Sequence, residues 1–129
     1  MFMNKIQALA NEMKQFFSPQ TVTNVYSICK QLEIEIVEAP IQADAYLECE
    51  NGNSYIVLKE SLNSNRKKFT IAHELGHFYI PWHSELMFGC DIKEMDFKND
   101  YAPREKEANL FAAELLMPMK EFKNHFSQK

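Results

Sequence analysis

The sequence predicts an α+β fold, and three observations support this prediction. Apolar residues recur at helical spacing in residues 4–32 and again in residues 103–117. Between them, residues 33–59 contain short alternating or continuously apolar runs that are typical of strands. Helices at both ends of a small sheet form an α+β arrangement, and we expect the sheet to be antiparallel.

Two N-terminal helices are expected within residues 1–32. Residues 4–16 carry apolar side chains with a helical period, namely Ile6, Leu9, Ala10, Met13 and Phe16. Ser18 and Pro19 are typical N-cap and first-turn residues, so a second helix is expected to begin there.

The small sheet is expected within residues 33–59. Residues 33–38 alternate in polarity and contain β-branched side chains, which predicts a strand. Residues 45–50 and 54–59 flank Asn51-Gly52-Asn53, a typical hairpin turn. Because its second arm is continuously apolar, we expect that arm to be the more central one.

The C-terminal half is expected to contain two longer helices. The first spans residues 67–80 and stops at Pro81. Residues 84–102 carry no regular pattern. A second helix spans residues 103–117, and Pro118 begins a short last one.

The composition indicates one soluble domain, comprising all 129 residues. The chain is 46% hydrophobic and 25% charged, and its net charge of −4 gives no sign of general affinity for nucleic acid or anionic membranes. No apolar run reaches the roughly 18 residues of a spanning helix, and no signal peptide opens the sequence. Cys29, Cys49 and Cys90 form no CxxC pair, which favours a reducing cytoplasm over a disulfide framework.

The most informative motif is His73-Glu74-Leu75-Gly76-His77, an HExxH pattern within a predicted helix. Residues four apart lie on one helical face, so His73 and His77 can share one Zn²⁺ per chain. Glu74 lies beside them, where it can take a proton from the attacking water. The motif therefore predicts metal-assisted hydrolysis, most plausibly of a peptide bond.

A helix-interior glycine next to the two histidines indicates close packing. Gly76 costs roughly 1 kcal/mol relative to alanine in a helix, a cost that usually has a packing reason. Together with Ala72 it forms a strip of small residues. We therefore expect another element to approach the helix there.

A catalytic zinc site needs one more protein ligand, and three residues are candidates. His83 follows His77 at the ligand spacing of the metzincins, but Ile80 stands where those proteins need glycine to turn the chain. Glu105 and Glu107 lie in the next helix.

Helical geometry favours Glu105 over Glu107. The predicted buried stripe of this helix consists of Ala108, Phe111, Ala112, Leu115 and Leu116. Relative to the centre of that stripe, Glu105 lies at roughly 50° and Glu107 at roughly 110°. Asn109, one turn after Glu105, is placed to hydrogen-bond a metal ligand.

Two segments resemble the ImmA/IrrE family of metallopeptidases. Residues 68–77 read KFTIAHELGH, and residues 105–118 read EKEANLFAAELLMP. They match the family pattern of an AHELGH helix followed by ExxANxFAxxLLMP, and the preceding hairpin fits the family layout. The resemblance implies a minimal gluzincin-like zincin fold. Family members commonly continue further past the LLMP block, so this chain is expected to be a compact member, one completed by a partner, or the N-terminal part of a larger regulator.

The resemblance also implies a role for each site residue. His73, His77 and Glu105 would be the metal ligands and Glu74 the catalytic base. For the donor to the oxyanion we rank His83 first, ahead of Tyr79, Tyr101 and Arg104, the other donors nearby in sequence.

Two functions are weighed on this basis. The first is a zinc-dependent endopeptidase whose substrate is a helix-turn-helix transcriptional repressor, as the family resemblance suggests for proteins encoded in mobile elements or stress regulons. The alternative is a metal-binding regulatory or interaction module of toxin–antitoxin or phage type, with little or no turnover. Neither reading involves direct contact with nucleic acid or a membrane.

Overall fold

The computed structural model describes residues 2–19, 22–83 and 102–117. Its elements, in chain order, are helices α1 (Phe2–Phe17) and α2 (Val25–Gln31), strands β1 (Ile34–Ala39), β2 (Ala45–Glu50) and β3 (Asn53–Lys59), helix α3 (Ser64–Tyr79), a 3-10 turn (Pro81–His83) and helix α4 (Ala102–Leu116). The α+β class is confirmed, and apart from the start of α2 the element bounds lie within three residues of those predicted. The predicted irregular segment lies almost entirely, and the short helix from Pro118 entirely, outside the described residues. Within the described ranges, no helix is long and apolar enough to span a membrane.

The predicted start of the second helix is wrong. The backbone N–H of Ser18 donates to the carbonyl of Lys14, so Ser18 closes the last turn of α1. Its hydroxyl accepts a hydrogen bond of 3.0 Å from the backbone N–H of Asn24. Asn24 is the residue that caps α2, through a side-chain oxygen 3.1 Å from the backbone nitrogen of Ser27. The side chain of Ser18 therefore accepts a backbone hydrogen bond as a capping residue does, but it joins the end of α1 to the residue that precedes α2.

The sheet has the order β1-β3-β2, with β3 in the centre. The hairpin of β2 and β3 is antiparallel as predicted, and its turn places Asn51 and Gly52 at φ 54° and 80°. Strand β1, however, runs parallel to β3, so the sheet is mixed and the prediction of an antiparallel sheet is wrong. After β1 the chain passes to the far edge before it returns as β3. The central place thus goes to the most apolar strand, as predicted.

Helix α3 packs closely against α4, and Gly76 is the point of contact. A Cβ atom at Gly76 would lie 3.2 Å from the Cβ, Cγ and Cδ1 atoms of Phe111. This confirms that the glycine admits a neighbouring element, and the element is α4. The inner face of the sheet, α1 and α2 complete the same core, whose fully buried members include Ile6, Met13, Ile28, Ile56, Leu58, Ile71, Leu75, Phe111 and Leu115.

The N-terminal segment fixes the C-terminal end of α4. Lys14 is almost fully buried, and its ammonium group donates to the carbonyl of Met117 at 2.9 Å. The hydroxyl of Thr23 donates to the carbonyl of Leu115 at 2.7 Å. Carbonyl groups near the C-terminus of a helix lack intrahelical hydrogen-bond donors. Lys14 and Thr23 provide such donors at the end of α4. As a result α4, which carries Glu105, is anchored at its far end.

Candidate metal centre

Helix α3 presents both histidines of the HExxH motif on one face. The helix begins at a cap in which the side-chain oxygen of Asn63 accepts from the backbone N–H of Arg66 at 2.9 Å. It ends at Ile80, whose extended backbone leads into Pro81. His73 and His77 lie inside the regular part of this helix, so their one-turn spacing is maintained.

The two histidines converge on Glu105 of α4. The Nε2 atom of His73 lies 2.9 Å from Oε1 of Glu105, and the Nε2 atom of His77 lies 2.9 Å from Oε2. One candidate ligand atom from each of the three residues lies within 4.8 Å of the others. Two imidazole nitrogens and a carboxylate are a donor set that metals such as zinc accept in catalytic sites, so the residues present fit a metal ion.

Asn109 holds the outer nitrogen of the first histidine. Its Oδ1 atom lies 2.7 Å from Nδ1 of His73. An amide oxygen only accepts, so the Nδ1 atom of His73 donates to it, and the Nε2 atom of His73 is the one that faces Glu105. This is the contact that the sequence predicts for Asn109.

His83 lies on the opposite side of His77 from Glu105. Its Nδ1 atom is 3.0 Å from Nδ1 of His77, and its Nε2 atom is 2.7 Å from Oε1 of Glu107. The ring is fully buried, at 0% exposure. Its contacts are with the outer nitrogen of His77, whereas the Nε2 nitrogen of His77 faces Glu105. The oxyanion-donor role of His83 stays a prediction, and this position favours a different role, developed below.

Glu74 lies within the same helix turn and is only 8% exposed. Burial raises the pKa of its carboxyl above the ordinary value, although the charges of His77 and His73 oppose this effect. A carboxylate with a raised pKa holds a proton more readily near neutral pH, which suits a general base.

The pKa values of Glu105 and His73 depend on each other. Burial acts to raise the pKa of Glu105, but hydrogen bonds from His73 and His77 outweigh it and lower the pKa to about 2. For His73, burial acts to lower the pKa, while the hydrogen bond to Glu105 and the charges of Glu74 and Glu105 raise it overall. The carboxylate is thus ionised over the whole physiological range, as a metal ligand must be.

The fold and this cluster define a class: an α+β protein with a candidate metal centre built from an HExxH helix and a glutamate of a following helix. Residues 29–129 match the Peptidase_M78 family, described as the IrrE N-terminal-like domain. Since this match covers more than three quarters of the chain, the protein belongs to that family, and the ImmA/IrrE resemblance is confirmed.

Two relatives resemble this chain over most of its length. One is named "Uncharacterized immunity region protein 2", from Bacillus phage phi105, and is 30% identical over 99 residues, which are 74% of this chain and 60% of the relative. The other is "Metallopeptidase ImmA" of Bacillus subtilis (strain 168), which is 26% identical over 112 residues, covering 86% of this chain and 64% of the relative. The matched part is therefore less than two thirds of either relative.

Sequence reasoning missed the contacts of Trp82 and Glu107. The indole Nε1–H of Trp82 donates to Oε1 of Glu107 at 2.8 Å, the same oxygen that His83 contacts. Helical spacing placed Glu107 away from the centre of the buried stripe. No sequence pattern indicates that it contacts His83, which lies 24 positions earlier in the chain. The signal available was weak: a histidine beside a tryptophan, which needs polar partners if buried.

Proposed function

We propose that this protein is a zinc-dependent endopeptidase of the gluzincin type. The observation that carries this proposal is the convergence of His73, His77 and Glu105, with Glu74 in the intervening helix turn. When bound, zinc supplies Lewis acidity, which polarises a carbonyl and brings the pKa of water towards neutrality.

The residues of the chain then divide the work of hydrolysis. His73, His77 and Glu105 hold the metal, and Asn109 orients His73. Glu74 takes a proton from the attacking water as the new carbon–oxygen bond forms. It then passes that proton to the amine nitrogen, and the carbon–nitrogen bond breaks as the amine leaves. The raised pKa of Glu74 supports this role, because the protonated form must persist long enough to deliver the proton.

We place the substrate backbone along the outer edge of β2. Strand β3 is central, so β2 is the hairpin arm at the edge, and among the described strands none pairs with its outer side. Helix α3 contacts both β2 and β3, which brings this edge to the helix that carries the motif. An extended peptide can add to such an edge through main-chain hydrogen bonds.

The proposed substrate is a regulatory protein, specifically a helix-turn-helix repressor. The family resemblance suggests this substrate class, and the name of the phage relative, an immunity region protein, supports a setting in phage regulation. We further propose that the chain forms one metallopeptidase domain and acts in the cytoplasm. The three cysteines of the sequence form no CxxC pair, which agrees with a reducing compartment.

Cleavage of the repressor encoded next to this protein tests the function. The protein is incubated with the repressor and Zn²⁺, and products are identified by mass spectrometry. We expect cleavage by the wild type and none by Glu74→Gln, which keeps the metal ligands and should retain its zinc. Glu35→Gln, an exposed substitution on β1, is the matched control and should cleave normally.

Three outcomes would contradict parts of this proposal. A stable complex with the repressor and no products would favour the interaction module instead. Unchanged cleavage by Glu74→Gln would remove Glu74 from the reaction. Normal zinc content in Glu105→Ala would remove Glu105 from the ligand set.

The position of the substrate is tested separately with N-methylated peptides. Successive residues of a strand point their N–H groups to opposite sides. Methylation at alternate positions of a cleaved peptide should therefore block cleavage with a period of two. Loss of cleavage without such a period would argue against pairing with β2.

A further inference from the structure

A partly buried chain of side chains leads from the second histidine of the motif to α4. His77 contacts His83 through their Nδ1 atoms, 3.0 Å apart. The other nitrogen of His83, Nε2, lies 2.7 Å from Oε1 of Glu107. The same oxygen accepts the indole N–H of Trp82 at 2.8 Å. All of these contacts lie behind the face on which His77 meets Glu105.

Only one arrangement of protons in this chain leaves His77 able to bind a metal. A ligand nitrogen needs its lone pair, so a neutral His77 that binds through Nε2 must carry its proton on Nδ1. That proton points at Nδ1 of His83, which must then be the acceptor. His83 consequently carries its proton on Nε2 and donates it to Glu107.

Glu107 determines the direction of this relay. Oε1 of Glu107 already accepts the indole N–H of Trp82, so it faces His83 as an acceptor and favours a protonated Nε2 on His83. The indole of Trp82 has a donor and no acceptor, and it holds the same oxygen in place. Reversal of the chain would place the His83 proton on Nδ1 and leave Nε2 of His83 facing a carboxylate without a hydrogen between them.

The local fold is built to deliver these groups. Helix α3 ends at Ile80, and the 3-10 turn folds back so that the backbone N–H of His83 donates to the carbonyl of Ile80 at 2.9 Å. Glu105 and Glu107 are two residues apart on α4 and so project about 200° from each other around the helix. Helix α4 thereby reaches both nitrogens of His77, one directly through Glu105 and the other through His83.

We propose that Glu107, acting through His83 and held by Trp82, is a positioning residue that keeps His77 in the tautomer whose Nε2 atom is free for the metal. This inference rests on the proposed metal-binding function. The contrast with His73 is informative, because among the described residues its outer nitrogen meets the neutral amide of Asn109 at 2.7 Å. The contacts of His77 instead continue through His83 to the carboxylate of Glu107.

The first test measures zinc affinity by competition with a chromophoric chelator. We expect Glu107→Ala to weaken Zn²⁺ binding by about 10–100-fold, the usual effect of losing a group that orients a metal ligand. Glu107→Gln should weaken binding less, because its amide oxygen can still accept from His83. Lys106→Ala, an exposed neighbour on the same helix, is the control and should bind as the wild type does.

Two controls separate positioning from folding and from ligation. At saturating zinc, X-ray absorption should show the same two-histidine ligand set in Glu107→Ala as in the wild type, since no ligand has been removed. Thermal melting of each metal-free variant shows whether the fold persists. An affinity of Glu107→Ala within twofold of the wild type would overturn the inference and leave the proposed function intact. A wild type that binds no zinc would overturn both.

The second test observes the protons directly in the wild-type protein. In the zinc-bound chain with ¹⁵N-labelled histidine, we expect His83 to show a protonated Nε2 and an unprotonated Nδ1. A scalar coupling between the two Nδ1 atoms should cross the hydrogen bond from His77 to His83. A proton on Nδ1 of His83 would overturn the inference whatever the variants show.

Discussion

Replacement of Gly76 by alanine tests how closely α3 and α4 approach beside the candidate metal centre. Alanine at a helix-interior position is favoured over glycine by about 1 kcal/mol. The added methyl group would, however, lie 3.2 Å from three atoms of Phe111, which is fully buried. Overpacking of this kind costs about 1–3 kcal/mol. The two effects leave a net destabilisation of about 0–2 kcal/mol, equivalent to a Tm lowered by up to roughly 7 °C in a chain of this size.

The same substitution should weaken metal binding. Glu105 precedes Phe111 by six residues, or about 9 Å along α4, so a shift of the helix at Phe111 moves the carboxylate as well. We expect the zinc affinity of Gly76→Ala to fall together with the free energy of unfolding.

Urea denaturation of the metal-free protein, monitored by circular dichroism, measures the first effect. A matched pair at an exposed position of α3, Lys68→Ala and Lys68→Gly, gives the propensity difference without any contact to α4. At position 68, the difference in the free energy of unfolding between Lys68→Ala and Lys68→Gly measures helix propensity alone. If Gly76→Ala raised the free energy of unfolding by that full amount, the reasoning would be refuted.

Three further predictions concern caps and metal. Asn63→Ala should lower the free energy of unfolding by about 1 kcal/mol, because the N-cap acceptor of α3 is lost; Asn63→Ser, which keeps an acceptor, should lose little in the same urea titration. Thr23→Val should cost about 1–3 kcal/mol, since it leaves the buried carbonyl of Leu115 without its donor; an unchanged midpoint would show that water replaces the hydroxyl. Zinc at 100 times its Kd should stabilise the protein by about 2.7 kcal/mol; calorimetry before and after chelation measures this gain, and Glu105→Ala should lose most of it.

Local patterns in the sequence were sufficient for most of the secondary structure. The spacing of apolar residues predicted α1 and α4, the HExxH segment with Pro81 after it predicted α3, and Asn51-Gly52 predicted the hairpin. These features depend on residues at most a few positions apart, so the sequence displays them directly. The start of α2 was predicted wrongly because Ser18 and Pro19 favour a helix start by type, while the tertiary structure uses Ser18 to join α1 to Asn24.

The candidate metal centre was likewise predictable from the sequence only in part. His73, Glu74 and His77 lie in one helix, so their common face follows from helical geometry alone. The choice of Glu105 over Glu107 needed an estimate of which side of α4 is buried, and the resemblance to ImmA/IrrE proteins led to the same residue and away from His83. The structure brings Glu105 to both histidines, and His83 to the opposite nitrogen of His77.

The sequence by itself determined that this chain carries an HExxH helix, a hairpin and a following helix with a glutamate at its inner border. Only the tertiary structure decided that β1 runs parallel to β3, that Gly76 receives Phe111, and that Glu107 reaches His83 and Trp82. Each of these depends on contacts between segments far apart in the chain. Such contacts depend on how the whole core packs, so the periodicity within one segment does not predict them.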